Sequence, residues 1–294
     1  MDSMKRSFII GSEWLYYKIY TGVKTSDVIL ADIIKPVTEQ LISEGIIDKW
    51  FFIRYADPKH HIRVRFHYSN PENVAVLINA LNEAFTPLIE EDVIWKMQAD
   101  TYQREIERYG ESTMVSSETL FFHESKMISE FLDLIDGDEG EELRWLFGVR
   151  AIDSLLGDFK FTEDDKLKLL ENLHIGFGNE FGMNRFLKKQ LEKKFRVEKD
   201  KMKTFLDFKT ETAGDYKPLL EILERKSKNT LTTVSTILDD IKEVTLNNLM
   251  GSYIHMLMNR LFRSKNRLHE MVVYDLLYRH YKVQWGIRKY KNKG

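Results

Sequence analysis

The chain has 294 residues, with 44 Lys and Arg against 46 Asp and Glu, a net charge of −2, no cysteine and 43% hydrophobic residues. That length supports a large core, and the even charge balance gives no sign of bulk binding to nucleic acid or an anionic membrane. Without a thiol there is no disulfide, no thiol catalysis and no Cys-ligated metal site. The N-terminus MDSMKRSFII carries no secretory h-region, and no apolar run approaches the roughly 20 residues of a membrane span. A cytoplasmic protein without a membrane span is expected.

Glu13 to Tyr20 reads as a first strand. Asp27 to Ser43 reads as a helix with Val28, Ile29, Ile33, Val37 and Leu41 on one side, kinked or broken at Pro36. Trp50 to Phe66, WFFIRYADPKHHIRVRF, reads as two strands joined by a turn at Asp57-Pro58. Its second half alternates. Ile62, Val64 and Phe66 point one way, and Arg63, Arg65 and His67 the other, because a strand has side-chain period two. A cationic face with His60 and His61 at its edge suits a carboxylate or a developing oxyanion. The alternative is that both arginines are solvated or paired to acids. Asn70-Pro71 marks the start of a second helix with a stripe of Val74, Leu77, Ile78, Leu81 and Phe85. Val93, Trp95 and Met97 alternate as a fourth strand. The order is strand, helix, strand, strand, helix, strand, a ferredoxin-like split βαβ pattern over about residues 1–100.

From about residue 101 to 294 the chain reads as mainly helical, over 117–134, 141–156, 163–173, 184–195, 216–227, 230–241, 246–263 and 266–281. The acidic run Asp136 to Gly140 and the segment Gly176 to Gly182 read as breaks. The expected class is α+β, one domain spanning 1–294, with sheet and helical body sharing a site.

Two further stretches carry candidate chemistry. TYQREIERYG, Thr101 to Gly110, gathers Arg104, Glu105, Glu107 and Arg108. Like charges at i, i+4 make a poor helix surface, which suggests an anion site; on pattern alone a solvated charged turn is the commoner outcome. In Tyr253 to Arg260, His255 and Asn259 share one face of a strongly apolar helix. Such a histidine is commonly a satisfied core residue, but it is also the natural acid or base near neutral pH. HExxH, P-loop, calcium-loop and GxSxG patterns are absent, and His60-His61 point apart on a strand, so no metal or organic cofactor is implied.

These three stretches, with Met114 and Glu118 to Phe121 after the second and IHMLMNRLF as the third, resemble the C-terminal elimination domain of lantibiotic dehydratases. The same domain is known as the thiopeptide-type bacteriocin biosynthesis domain. The resemblance runs from about Trp14 to Phe262. It departs at Glu111, where the family has a second glycine, and at Glu124-Ser125, where Asp-Ser is usual. It implies removal of glutamate from glutamylated Ser or Thr of a ribosomal precursor peptide, leaving dehydroalanine or dehydrobutyrine. By motif match it implies catalytic roles for Arg65, Arg108, His255 and Glu105. Arg63, Arg104, His61, Asn259 and Arg260 are the implied substrate-binding residues. The implied setting is the small subunit of a split dehydratase. A separate large subunit then uses glutamyl-tRNA, while this chain binds no nucleic acid directly. Homo-oligomerisation stays open. Two other readings stand beside it: a pyridine synthase or other tailoring enzyme of thiopeptide or lanthipeptide assembly, and a non-catalytic peptide-binding subunit.

Overall fold

The computed structural model describes residues 4–135 and 139–291; Asp136, Gly137 and Asp138 of the expected acidic loop lie outside them. The fold is α+β, with a small antiparallel sheet near the N-terminus packed on a helical body. Among the described residues no helix is long and apolar enough to cross a membrane.

Strands β1 (Ser7–Phe8) and β6 (Tyr102–Gln103) form a two-stranded sheet. The main sheet comprises β2 (Trp14–Thr21), β3 (Lys49–Tyr55), β4 (His61–His67) and β5 (Ile94–Ala99), in the order β3–β4–β2–β5 with every neighbour antiparallel. The alternation of β4 is realised: Ile62, Val64 and Phe66 are fully buried on one face. On the other face, register fixes the company each polar residue keeps. Arg65 lies opposite Tyr16 on β2 and Phe51 on β3, and His61 opposite Tyr20 and Tyr55. On β5 the residue that enters the core is Ile94, while Trp95 is exposed. A bulge between Tyr20 and Thr21 shifts the pairing there, and the Thr21 hydroxyl donates to the Val93 carbonyl at 2.8 Å.

The helix expected over 27–43 is not broken at Pro36. Helix α1 (Thr25–Val28) passes into a π-helical segment (Ile29–Ile34) and then α2 (Lys35–Ser43). Proline has no N–H and crowds the carbonyl four residues back, and a wider turn just before it accommodates both. Helix α3 (Asn73–Glu90) starts later than expected, because Asn70 caps a preceding turn by accepting from Glu72 N at 3.1 Å.

The body contains α4 (Ile106–Tyr109), α5 (Met114–Leu134), α6 (Glu139–Asp158), α7 (Glu163–Glu180), α8 (Arg185–Asp207), α9 (Lys217–Asp240), α10 (Leu246–Leu261) and α11 (Asn266–Lys291). The two helices expected over 216–241 are one, α9. The helix runs through the expected gap at 228–229, and just beyond it Thr230 is buried and donates to the Lys226 carbonyl at 3.0 Å. The break expected from Gly176 falls after Glu180, and Gly182, with φ +62°, turns the chain.

Sheet and body are joined along the outer edge of β3. The Asn259 side chain accepts from Arg54 N at 2.8 Å and donates to Arg54 O at 2.9 Å. Ser125 Oγ accepts from Phe52 N at 3.2 Å. Arg54 itself reaches Asp27 at 2.6 Å and the Arg260 carbonyl at 2.9 Å, while Arg144 reaches the other Asp27 oxygen at 2.7 Å. A second buried tie holds β6 to α5. Arg104 forms a two-pronged pair with Glu118, at 2.8 and 2.7 Å, and donates to the Lys5 carbonyl at 3.0 Å. Tyr102 donates to the same carboxylate at 2.8 Å.

Glu118→Ala leaves the Arg104 guanidinium buried without its counter-ion. Chemical denaturation should show a loss of about 3–5 kcal/mol. A loss below about 1 kcal/mol, the range of an exposed pair, would show that Arg104 finds water instead.

Candidate functional site

Arg65 is 8% exposed, and its guanidinium carbon sits 4.4 Å from the Tyr16 ring centroid, 5.1 Å from Phe51 and 4.9 Å from Tyr102. Two of these rings are its cross-strand neighbours, so the cage follows from register. Among the described residues Nε and Nη1 have no hydrogen-bond partner. Burial pulls this guanidinium below its ordinary pKa. It faces a small cavity lined also by Ile53, Gln103, Glu105, Tyr109, Met256 and Arg260.

Arg260, fully buried on α10, lines the same cavity. Its Nη1 donates to Glu124 at 2.8 Å, and its Nε and Nη2 are without partners among the described residues. Burial lowers the Arg260 pKa and raises that of Glu124. Where the resemblance expects Asp-Ser, Glu124 therefore holds Arg260, and Ser125 holds the edge of β3.

The single turn of α4 separates the charges of TYQREIERYG. Arg104 turns inward to Glu118. Glu105 precedes the turn, and its carboxylate lies 3.2 Å from Arg108 Nη1, with both side chains substantially exposed. Gly110 ends α4 with φ +78°, and a Cβ there would meet a Glu243 oxygen at 2.9 Å. Arg108 thereby reaches a second, larger cleft of about 650 Å³.

That cleft is lined by Arg108, Asn172, Phe177, His255, Arg267 and Glu270, among others. His255 Nδ1 lies 2.9 Å from Glu270 Oε1. Its Nε2 has no partner among the described residues, and the side chain is 28% exposed. Glu105 borders the cavity and Arg108 the cleft, so their ion pair joins the two spaces.

The expected substrate-binding residues divide. Arg63 is half-buried, stacks 3.6 Å from the Tyr55 ring centroid and donates to His61 Nε2 at 3.0 Å. The other His61 nitrogen meets the Lys59 carbonyl at 2.8 Å, and burial holds the imidazole below its ordinary pKa. With both nitrogens used, His61 is a neutral prop under Arg63. Asn259 spends its whole amide on β3, and Arg104 has all three guanidinium nitrogens engaged. Arg65, Arg260, Arg108 and His255 keep groups free to meet a ligand.

Glu270 went unnoticed in the sequence. Its signal is a carboxylate in register with the buried Tyr274, Leu277 and Tyr281 on α11, a core stripe where an acid needs a partner. Among the described residues no group of three His, Asp or Glu is placed to hold a metal ion.

The sequence profile of the lantibiotic biosynthesis dehydratase C-terminal family matches residues 14–281. The chain belongs to that family. It is 27% identical over 275 residues to the subtilin biosynthesis protein SpaB of Bacillus subtilis, covering 92% of this chain and 25% of SpaB. The tRNA-dependent lantibiotic dehydratase MibB from Microbispora sp. 107891 superposes with a TM-score of 0.71 at 20% identity, covering 95% of this chain and 29% of MibB. The pyridine synthase TbtD from thiomuracin biosynthesis superposes with a TM-score of 0.65 at 11% identity, over 94% of this chain and 100% of TbtD. The chain thus spans about a quarter of the dehydratases it matches and the whole of a pyridine synthase.

In this dehydratase C-terminal fold the uncompensated Arg65 is a stability defect. Desolvating a cation costs several kcal/mol, and cation–π contacts return roughly 2 kcal/mol. Arg65→Met should therefore stabilise the protein by about 1–4 kcal/mol, read as a higher urea midpoint. A lower midpoint would mean that the cage is structural.

Proposed function

We propose that the chain removes glutamate from glutamylated Ser or Thr of a ribosomally made precursor peptide, giving dehydroalanine or dehydrobutyrine. The observation that carries this reading is Arg65, a buried guanidinium with two nitrogens unpartnered among the described residues. It faces a cavity next to the cleft that holds Arg108 and His255.

The chemistry fits these groups. A serine hydroxyl leaves poorly, whereas its glutamyl ester leaves as a carboxylate whose acid has a pKa of about 4.3. The Cα proton passes to a base, the C–H electrons form the Cα=Cβ bond, and the Cβ–O bond breaks to release glutamate. Developing enolate charge needs donors already in place. His255 Nε2 is the base. Arg65 and Arg108 hold the glutamyl group and stabilise negative charge, Arg63 adds its field, and Glu105 orients Arg108. Arg260 supplies further donors to the Arg65 cavity. The partner is a large subunit that charges the peptide from glutamyl-tRNA. A leader bound by strand addition would join β5, because the other edge strand, β3, is covered by Asn259 and Ser125.

A second reading rests on the shared fold: TbtD superposes on 94% of this chain with a TM-score of 0.65. On that reading it acts as a pyridine synthase on peptides already dehydrated.

Mass spectrometry of a leader-bearing peptide with one glutamylated serine, incubated with this protein, separates the two. Loss of glutamic acid is expected. Arg65→Ala and His255→Ala should each slow it by about 10²-fold or more with the fold intact. An unchanged ester from folded protein sinks the elimination reading, and cyclisation of a multiply dehydrated peptide would establish the second.

A further inference from the structure

Glu270 is fully buried on α11 and belongs to none of the stretches that carry the family resemblance. Its two oxygens face different partners. Oε1 lies 2.9 Å from His255 Nδ1, while Oε2 accepts from Arg267 Nη1 at 3.1 Å and from the Tyr274 hydroxyl at 3.5 Å. Arg267 is braced in turn, paired to Glu180 of α7 and lying 4.1 Å from the Phe177 ring centroid.

We infer that Glu270 is the positioning residue that fixes the tautomer and orientation of His255. The inference rests on the reading of His255 as the base of the proposed elimination. An ionised carboxylate only accepts hydrogen bonds, so the proton of a neutral His255 sits on Nδ1. The lone pair then sits on Nε2, the nitrogen without a partner. An unanchored imidazole would divide itself between two tautomers and two ring orientations; the wrong tautomer presents a donor where the base is needed, and the flipped ring presents a carbon. The anchor also spans two consecutive helices, so the base is held by α11 and not only by its own helix α10.

The two-sided environment of Glu270 makes Glu270→Gln a sharp test. Arg267 and Tyr274 both donate, so the carboxamide oxygen turns toward them. Its NH₂ then faces His255 Nδ1 and must be accepted there. The imidazole proton moves to Nε2, and the base becomes a donor.

Nitrogen-15 correlation spectra of the neutral imidazole should show a protonated Nδ1 and a pyridine-like Nε2 in the wild type, and the reverse in Glu270→Gln. Elimination by Glu270→Gln should fall by about 10²–10⁴-fold in kcat. KM should stay within about twofold, because peptide binding is untouched. Glu270→Asp, which keeps an acceptor, should recover part of the rate and the wild-type tautomer. A wild-type His255 protonated on Nε2 overturns the inference without any activity measurement, even if the variants fold poorly. So does a Glu270→Gln enzyme with unchanged tautomer and kcat. A wild type with the expected tautomer that releases no glutamate overturns the elimination reading alone.

Discussion

The contact on which the site depends is the pairing of Asn259 with the backbone of Arg54. A carboxamide can donate and accept in one plane, so it does for the edge of β3 what a neighbouring strand would do. This closes the sheet edge and fixes the rotation of α10 about its axis. Side chains four apart share a helix face. Asn259 faces β3, Met256 and Arg260 share the face that lines the Arg65 cavity, and His255, one turn before Asn259 and beyond its contact with β3, lines the larger cleft. One amide thus sets which wall carries the guanidinium and which carries the imidazole.

The buried cations of this chain form a graded series. Arg54 and Arg144 share Asp27, and Arg104 owns Glu118. Arg260 has one carboxylate and two idle nitrogens, and Arg65 has only aromatic faces. A buried charge is tolerated when its donors are matched. The further a guanidinium falls short of that, the more its presence asks for an explanation outside stability. Arg65 and Arg260 stand at the deficient end of the series, and they line the same cavity. The residues best satisfied, Arg104 and Asn259, sit in the same motifs but hold the scaffold.

This division marks where sequence reading stops. The alternation of Trp50 to Phe66 shows which residues share the cationic face, because the strand period is short and strict. It does not show that Phe51 and Tyr16 flank Arg65, which depends on register between three strands. In TYQREIERYG the charge cluster is visible. Which arginine turns inward is not, since it follows from the single turn of α4, ended by a glycine at φ +78°. The π-helical turn before Pro36 and the uninterrupted α9 escaped for a related reason: local breakers were overridden by packing. Glu270 escaped because its partner lies on another helix, and no pattern along one helix announces a contact across two.

The proposed chemistry requires its base and its anion sites on different walls. The proton leaves from Cα and the glutamyl oxygen from Cβ, and the glutamyl carbonyl and carboxylates extend several bonds further from the base. A base among the guanidiniums would be paired with them or would compete for the glutamate. Here His255 and Arg260 are about 140° apart around α10 and about 7.5 Å apart along its axis, at 3.6 residues per turn and 1.5 Å per residue. His255 is tied to a carboxylate on α11 on the side away from the cavity arginines. Glu105 and Arg108 sit where the two spaces meet, so a substrate reaching from cleft to cavity passes their ion pair. That pair is exposed and weak in isolation, which leaves Arg108 free to exchange the Glu105 carboxylate for that of an incoming glutamyl group.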